Sequence, residues 1–200
     1  MTDLSDLQFC EMTLLQKEDV ADYFCSKNRD ISEFFHKDYI GYRNQLLGKS
    51  YCFCTDTSPR KIACAFTVAN ASIYLANVEN RRRNAINRHI PNKKRHNQYP
   101  AVLIGRLAVF DGFEGVGLGD SLLDFIKAWF IDPLNKTGCR FLVVDAVNHP
   151  KVLDYYQRNG FRFLYDDEDT ESRSIGRVRE SEDRLRTRLM YFDLIQLSPF

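Results

Sequence analysis

Four glycines lie within eight positions in the stretch DGFEGVGLGDSLL, residues 111–123. An apolar strand pattern, YPAVLIGRLAVF, precedes them, and an amphipathic helical pattern, SLLDFIKAWFI, follows. The first N–H groups of a helix have no partner within it, and the helix dipole favours negative charge at that end. Because glycines allow the backbone to approach a ligand closely, this strand, turn and helix predict a site for a phosphate or a diphosphate.

Two common nucleotide-binding motifs do not fit this turn. A P-loop needs Lys and then Ser or Thr after its last glycine, and Gly117 is not followed by them. The dinucleotide motif G-x-G-x-x-G would need glycine where the chain has Asp120. A turn kept for tight packing of the helix on the strand is the alternative that the pattern leaves open.

A second group of candidate residues lies in NHPKVLDYYQRNGF, residues 148–161. Asn148, followed closely by a proline, is typical of a helix start, and Asn159-Gly160 is typical of a helix end. Adjacent residues of a helix point about 100° apart. We therefore expect one of Tyr155 and Tyr156 to reach a site and the other to pack, with both packing in the core as the alternative.

Several further elements must position these two groups. The expected strands, helices and hairpin are a strand at 7–13, helices within 15–28 and 31–48 (the latter ending at Gly48), a hairpin of 50–56 with 61–69, and strands at 139–147, 161–165 and 189–195. Residues 79–98 predict a basic insertion or long loop that carries Arg81, Arg82, Arg83, Arg88, Lys93, Lys94 and Arg95. Residues 166–188 predict a charged excursion, either solvated or mobile, before the last strand. We expect one domain over residues 1–200.

The composition is that of a soluble globular protein. The 200 residues are 44% hydrophobic and carry a formal charge of +1, which gives no overall attraction to nucleic acid or membrane. No stretch approaches the roughly 18 apolar residues of a membrane span, and we expect no membrane partner. The N-terminus lacks a signal-peptide pattern and the six cysteines are scattered, so we expect a cytoplasmic protein with buried structural thiols, Cys52 and Cys54 among them, and no metal.

The glycine turn resembles the coenzyme A loop of the GNAT acetyltransferases, [Gln/Arg]-x-x-Gly-x-[Gly/Ala], aligned here as Glu114-Gly115-Val116-Gly117-Leu118-Gly119. LIGRLAVFDGFEGVGLGDSLLDFI is similar to the family's fourth strand, pyrophosphate loop and third helix, and VVDAVNHPKVLDYYQRNGFRFL to its fifth strand, fourth helix and sixth strand. The likeness covers roughly residues 100–165. It implies an α/β (α+β) GNAT acyl-CoA N-acyltransferase fold, with a mixed central sheet of about six to seven strands flanked by about four helices.

The resemblance also implies a reaction: transfer of an acetyl group from acetyl-CoA to an amine by direct attack. It assigns coenzyme contacts to the strand residues Leu107, Ala108 and Val109, to the loop residues Glu114, Gly115, Val116, Gly117, Leu118, Gly119 and Asp120, and to Asn148. It assigns protonation of the departing thiolate to Tyr156. Asn148 acting purely as a helix cap is an equal alternative, and Glu114, placed where the family has Gln or Arg, predicts weaker coenzyme binding through charge repulsion.

The basic stretch bears on the acceptor amine. Such a run is either solvated surface or a contact for a phosphate-rich acceptor. IPNKKRHNQYPAVLIGRLAV resembles the segment leading into the core of the toxin-type GNAT enzymes of bacterial toxin–antitoxin modules. That resemblance implies aminoacyl-tRNA, bound through residues 81–95, as a candidate acceptor and an antitoxin as a candidate partner. A homodimer is a further candidate assembly.

An aminoacyl acceptor would need little help from a general base. An α-amine of pKa about 8 is partly neutral at physiological pH, whereas a lysine amine of about 10.4 is not. Asp111 and Glu79 are nevertheless candidate bases. The alternatives are an acetyltransferase for a small amine or a peptide N-terminus, a non-catalytic acyl-CoA-binding module, and a protein that binds a partner through residues 166–188.

Overall fold

A computed structural model describes residues 3–25, 28–88, 90, 97–176, 179–181 and 184–197, with the backbone alone at 179–181. The strands within these residues are β1 (Gln8–Glu11), β2 (Lys49–Cys54), β3 (Ile62–Tyr74), β4 (Gln98–Val109), β5 (Phe141–Val147), β6 (Arg162–Phe163), β7 (Arg179–Ser181), β8 (Arg184–Leu185) and β9 (Thr187–Asp193). The helices are α1 (Arg29–Glu33), which continues through a π-helical turn (Phe34–Asp38) into α2 (Tyr39–Asn44), then α3 (Asn80–Asn87), α4 (Leu118–Ile131), α5 (Pro150–Arg158) and α6 (Glu168–Ile175).

Seven strands form one mixed sheet in the order β1-β2-β3-β4-β5-β9-β6, and β7 pairs with β8. This confirms the predicted sheet of six to seven strands. The chain divides into two compact units, Met1–Ala69 with Ile104–Trp129 and Asn70–Leu103 with Phe130–Phe200. The single-domain organisation expected from the sequence stays a prediction.

The first unit packs its apolar residues on β1, β2 and the adjoining parts of β3 and β4. β1 pairs antiparallel with β2, and β2 pairs antiparallel with β3. One core cluster is built from Phe34 and Phe35 of the α1–α2 region, the β2 cysteines and Phe110. Phe9 contributes to a separate aromatic group with Phe125 and Trp129 of α4, at ring-centroid distances of 4.8 and 5.4 Å.

The second unit is built around β5 and β9. These strands pair antiparallel from Phe141↔Asp193 to Val147↔Thr187, and β6 pairs antiparallel with the middle of β9. Phe141, Leu164 and Tyr191 lie in its core cluster. α5 therefore leads from the sheet's inner strand β5 to the short strand β6.

The helix predicted within residues 15–28 is wrong. In the described part of this segment, Lys17–Asp19 forms a single 3-10 turn and no α-helix follows before α1. The backbone instead pairs with a distant loop, because the Arg60 N–H donates to the Asp19 carbonyl and the Ala21 N–H donates to the Arg60 carbonyl, both at 2.8 Å. This tertiary pairing uses the groups that a helix would have bonded, so apolar spacing alone misled the prediction. Residues 26 and 27 lie outside the described residues.

The second predicted helix exists but ends earlier than expected. Asn28 caps its start, its side chain accepting a hydrogen bond from the Ile31 N–H at 3.2 Å. The helical backbone stops at Asn44, and Leu46 adopts a left-handed φ of 58°. Gly48 is therefore not the residue that ends the helix.

The two charged segments are more ordered in secondary structure than the sequence predicted. Asn80–Asn87 forms α3 where a loop was expected, whereas Lys93, Lys94 and Arg95 lie outside the described residues. The 166–188 segment contains α6, β7, β8 and the start of β9. Glu171 and Arg188 in it are buried and joined by a 2.7 Å ion pair. The prediction that the whole segment is solvated is therefore wrong, because part of it is buried.

Candidate functional site

The glycine turn connects the end of β4 to the start of α4. Gly112, Gly115 and Gly117 have φ values of +89°, +79° and +81°, which side-chain-bearing residues rarely adopt. The Asp120 N–H donates to the Gly117 carbonyl at 3.0 Å, so the helix begins immediately after the last of these glycines. The sequence thus encodes a turn whose backbone cannot readily form with other residues.

Exposed amides line this turn. Gly115, Val116 and Gly117 are exposed, and Leu118 is buried beneath them. Within the described part of the chain, the N–H groups of residues 115–118 donate no hydrogen bond. They stand at the N-terminal end of α4, a helix of 14 residues. Unpartnered N–H groups and the positive end of a helix dipole together form a place for an anion.

The apolar face of α4 fixes that end of the helix. Leu122, Leu123 and Ile126 are completely buried, as the helical stripe predicted. On a neighbouring face, Phe125 and Trp129 pack against Phe9 of β1. The amides of the turn are therefore carried by a helix that is anchored along its length.

One backbone N–H of β4, just before the residues predicted to contact the coenzyme, bonds to a side chain. The Arg106 N–H donates to the Thr67 side-chain oxygen at 2.8 Å. A Cβ at Gly105 would lie 2.9 Å from that oxygen, so glycine is needed there. Sequence reasoning did not identify Thr67, because a threonine inside an apolar strand carries no distinguishing signal.

Leu107, Ala108 and Val109 lie on β4 directly after Arg106. Ala108 is buried in the core cluster that includes Phe110, whereas Leu107 and Val109 are half-buried. Glu114 lies half-buried at the start of the turn. All the predicted coenzyme contacts except Asn148 are thus in the first unit.

Asn148 lies in the second unit and does not cap α5. The cap residue is His149, and the Asn148 side-chain amide donates to Glu168 Oε1 at 2.9 Å and to the Leu185 carbonyl at 2.8 Å. The capping alternative is therefore wrong. The asparagine is buried, and its hydrogen bonds go to the charged segment, a contact that no sequence pattern predicted. Its coenzyme contact stays a prediction.

Tyr155 and Tyr156 lie side by side on α5 and are both half-buried. Their rings meet edge to face at a centroid distance of 5.1 Å, and the Tyr156 ring also contacts Phe161 at 5.4 Å. The Tyr156 hydroxyl makes no hydrogen bond to any part of the chain that the structure describes. Burial raises the pKa of Tyr156 to about 12, so the phenol is protonated at neutral pH.

A basic cleft lies in the same unit, between α3 and the α5–β6 segment. Its volume is about 460 Å³. The polar and aromatic residues that line it include Arg81, Arg82, Gln157, Arg162, Asp166 and Tyr191. Arg82 forms an ion pair with Asp166. Arg162, set between two phenylalanines of the sequence, was missed by sequence reasoning, although a lone arginine in an aromatic strand was a usable signal.

Each of the two candidate bases adjoins one of these features: Asp111 directly precedes Gly112 of the turn, and Glu79 lies two positions before the cleft residue Arg81. Asp111 is an exposed residue of the first unit, and Glu79 is an exposed residue of the second unit directly before α3. Among the described residues, no group of three or more His, Cys, Asp or Glu side chains is arranged to hold a metal ion. No described helix is long and apolar enough to span a membrane.

Comparison with known proteins places this geometry in a known architecture. No family model matches the sequence, and no curated protein matches it. Among solved structures, a tyrosine-to-phenylalanine variant of KacT has a TM-score of 0.70 at 15% identity, over 96% of this chain and 99% of that one. AtaT complexed with acetyl-methionyl-tRNAfMet has a TM-score of 0.67 at 20% identity, over 96% and 97%.

A third solved structure agrees. An AtaT toxin variant bound to the C-terminus of the antitoxin AtaR and to acetyl-CoA has a TM-score of 0.61 at 19% identity, over 96% of both chains. The chain has the GNAT fold. The fold class predicted from the sequence is thereby confirmed.

The residues predicted for the GNAT site fall into two sets. The β4 residues and the glycine turn belong to the first unit, whereas Asn148 and Tyr156 belong to the second. Within each unit the structure brings them to the elements that the GNAT resemblance predicted, the fourth strand with its loop and the helix after the fifth strand. The individual roles remain predictions.

Proposed function

We propose that the chain is an acetyl-CoA-dependent N-acetyltransferase. The observation that carries this proposal is the row of unpartnered backbone N–H groups at residues 115–118, three of them on exposed residues, at the start of an anchored helix. A diphosphate is the ligand that such a row fits best, because it offers several oxygens at the spacing of successive N–H groups. The GNAT fold and the complex of an AtaT variant with acetyl-CoA support coenzyme A as its carrier.

The proposed reaction is direct transfer. The acceptor nitrogen forms a bond to the carbonyl carbon of the thioester, the carbon–sulfur bond breaks, and the proton lost by the nitrogen ends on the coenzyme A sulfur. The backbone of Leu107–Val109 is proposed to donate to the carbonyl oxygen as negative charge develops on it. The turn amides hold the donor, and their preformed geometry requires no rearrangement of the chain on binding.

Tyr156 is proposed to act on the leaving sulfur as a hydrogen-bond donor. Its pKa of about 12 lies well above that of a thiol, about 8.5, so complete proton transfer from the phenol to the thiolate is uphill. A protonated phenol still stabilises the thiolate through a hydrogen bond until the amine proton arrives. Because the Tyr156 hydroxyl makes no hydrogen bond to the described residues, it is available to donate one to the sulfur.

Aminoacyl-tRNA is the acceptor that we propose. Three arginines of the basic cleft, Arg81, Arg82 and Arg162, face a single carboxylate, Asp166. Guanidinium groups beside an aromatic wall are the elements with which proteins hold the backbone and bases of single-stranded RNA. The complex of AtaT with acetyl-methionyl-tRNAfMet supports the same class of acceptor. Gln157 of the cleft follows Tyr156 directly in the chain.

An acetylation assay tests the donor and the acceptor together. The chain is incubated with acetyl-CoA and one of three acceptors: charged tRNA, free amino acids, or peptides with free N-termini. Mass analysis of the aminoacyl ester is expected to show acetylation of charged tRNA. Acetylation of the small amines or peptides alone would overturn the proposed acceptor but keep the enzyme. Coenzyme binding without transfer to any amine would overturn the enzyme assignment and favour a non-catalytic binding module.

The basic cleft provides a matched pair of variants for that assay. We expect Arg162→Ala to raise KM for charged tRNA and to weaken its dependence on salt, because one phosphate contact is lost. Arg29→Ala, an exposed arginine at the start of α1 in the other unit, is the control and should leave KM unchanged. Equal effects of both substitutions would contradict a tRNA contact at the cleft.

An antitoxin partner belongs to the same proposal. The AtaT variant bound to the C-terminus of AtaR supports it for this fold. Expression of the chain in bacteria is expected to arrest growth, and Tyr156→Phe is expected to relieve the arrest. Undiminished growth with the active chain would remove the toxin assignment while leaving the transfer reaction in place.

A further inference from the structure

Two thiols face each other across the first two strands of the sheet. Cys10 of β1 and Cys52 of β2 are direct partners in the antiparallel register, and their sulfur atoms lie 3.6 Å apart. Both are free thiols. Cys54 follows on the same face of β2, and its thiol donates to the Gln8 carbonyl at 3.6 Å.

The register suits a covalent link between these two residues. Side chains that lie directly opposite on antiparallel strands have Cβ atoms about 4.5–5.5 Å apart, and a disulfide spans about 3.5–4.5 Å, so the two strands must close by about 1 Å. A disulfide bond is about 2.05 Å long. The two sulfurs therefore need to approach by little more than a rotation about the side-chain bonds and a small strand adjustment.

The two thiols differ in access and in acidity. Cys10 is half-buried, whereas Cys52 is fully buried. The hydrogen bond with the Cys52 thiol is the main cause that lowers the pKa of Cys10, with a smaller contribution from the positive charge of Arg60. The same hydrogen bond raises the pKa of Cys52. Cys10 is thus the thiol that solvent reaches and that forms a thiolate more readily.

We propose that Cys10 and Cys52 form an oxidisable pair, which a peroxide converts into a disulfide that joins β1 to β2. The Cys10 thiolate attacks one peroxide oxygen, the O–O bond breaks, and the leaving hydroxide takes up a proton to become water. Cys10 is then a sulfenic acid. The Cys52 sulfur attacks the Cys10 sulfur, the S–S bond forms, the S–O bond breaks, and the hydroxide leaves as water with the Cys52 proton. Two electrons pass from the sulfurs to the peroxide.

This site is separate from the proposed acetyl transfer. Neither cysteine belongs to the glycine turn or to β4, and the oxidation needs no coenzyme. Cys52 does share a core cluster with Ala108 and Phe110 of the β4 end. The test below therefore reads the sulfur chemistry itself, so that its outcome does not depend on the enzyme assignment.

The test is thiol mapping after treatment with hydrogen peroxide. The full chain is exposed to stoichiometric hydrogen peroxide, free thiols are alkylated, and peptides are mapped without reduction. We expect a Cys10–Cys52 linked peptide, loss of alkylation at both residues, and reversal by a dithiol. In Cys52→Ser the expected product is a persistent sulfenic acid on Cys10, trapped by a dimedone reagent.

Cys139 provides the matched control. It is also half-buried, but its thiol donates to the Phe141 carbonyl at 3.3 Å and burial raises its pKa to about 11. We expect it to stay alkylatable while Cys10 and Cys52 become linked. Oxidation of Cys139 as fast as Cys10, a Cys10–Cys54 link in place of Cys10–Cys52, or full alkylation of Cys10 after peroxide would each overturn the proposal.

Discussion

The backbone at Gly115 and Gly117 adopts φ values of +79° and +81°, and the N–H groups of residues 115–118 donate to no group in the described part of the chain. No atom lies within 4 Å of where a Cβ would stand at either glycine. Space is therefore not the constraint. The conformation itself requires glycine, and the proposed ligand depends on that conformation.

Alanine substitutions separate backbone strain from ligand binding. Gly117→Ala and Gly112→Ala both place a Cβ in open space at a positive φ, so each should lower the free energy of unfolding by about 1–2 kcal/mol. We expect only Gly117→Ala to weaken coenzyme A binding, by about tenfold, a change worth about 1.4 kcal/mol. Calorimetric titration measures this difference. Equal losses of affinity in both variants would show that strain alone is responsible.

Removal of the Tyr156 hydroxyl tests its proposed role. Tyr156→Phe is expected to lower kcat by on the order of 100-fold, because the leaving thiolate loses its hydrogen-bond donor. Coenzyme A affinity should change little, since the ring and its contacts with Tyr155 and Phe161 remain. Tyr155→Phe is the control, and a similar loss of kcat in that variant would move the role to Tyr155.

The pH profile follows from the raised pKa of Tyr156. A phenol with a pKa of about 12 in the folded chain stays protonated at pH 10, and its contribution is lost as the pH rises through 12. An α-amine acceptor loses its proton near pH 8. We therefore expect kcat/KM to rise up to about pH 8 to 9 and then to stay level through pH 10. A fall centred on pH 10 would indicate an ordinary exposed tyrosine.

At the scale of elements, the sequence predicted best where one face of an element is continuously buried. The sequence pattern predicted α4, whose apolar stripe of Leu122, Leu123 and Ile126 is buried. It also predicted α5 and its end at Asn159-Gly160, where Gly160 has a φ of +83°. The failed helix within 15–28 shows the opposite case. Its local pattern was helical, but backbone pairing with Arg60 came from a residue far along the chain, which no local pattern reports.

The charged segment illustrates the same limit in electrostatics. Charge runs are usually solvated, yet Glu171 of α6 is completely buried. It accepts from the Leu189 N–H at 2.6 Å and pairs with Arg188, which also donates to the Tyr165 carbonyl at 3.1 Å. Sequence could not show which of many carboxylates would be enclosed, because the partners come from α6 and β9 together.

That buried pair predicts a strong effect on stability. Glu171→Gln removes the nearer of two carboxylates beside the buried Arg188 guanidinium, at 2.7 Å, and leaves Glu168 Oε1 at 3.7 Å. Removing one partner of a buried pair costs about 3–5 kcal/mol when the other charge is left uncompensated, so with Glu168 still present we expect a loss at the lower end of that range. Glu33→Gln removes an exposed i,i+4 pair with Lys37 and should cost less than about 0.5 kcal/mol. Urea unfolding of both variants checks this. Losses of equal size would mean that the Arg188 charge finds compensation elsewhere.

For the whole molecule, the formal charge of +1 conceals an uneven distribution. The cleft of the second unit has three arginines against one aspartate, whereas the glycine turn of the first unit carries backbone amides and the acidic residues Glu114 and Asp120. The composition by itself predicts no overall attraction to nucleic acid, and it does not report a local cluster. The basic stretch of the sequence contains two of the three cleft arginines, Arg81 and Arg82, and the fold adds the third, Arg162 of β6.

The fold and the turn were thus predictable because strand, glycines and helix are contiguous in the chain. The contacts of Asn148 with Glu168 and of Arg106 with Thr67 were not, since each joins residues that are 20 or more positions apart. Motif resemblance supplied residue positions, and the structure supplied their partners. The proposed function rests chiefly on the contiguous part, the amides of the turn.

The most direct test of that claim is an amide NMR titration of the uniformly labelled chain with coenzyme A. We predict that the N–H signals of four residues shift downfield and saturate together: Gly115, Val116, Gly117 and Leu118. The reason is that each N–H donates a hydrogen bond to a phosphate oxygen. Gly41 and Gly138, which lie outside the turn, should not shift. Saturable binding that leaves the four turn amides unmoved, or no binding at all, would contradict it.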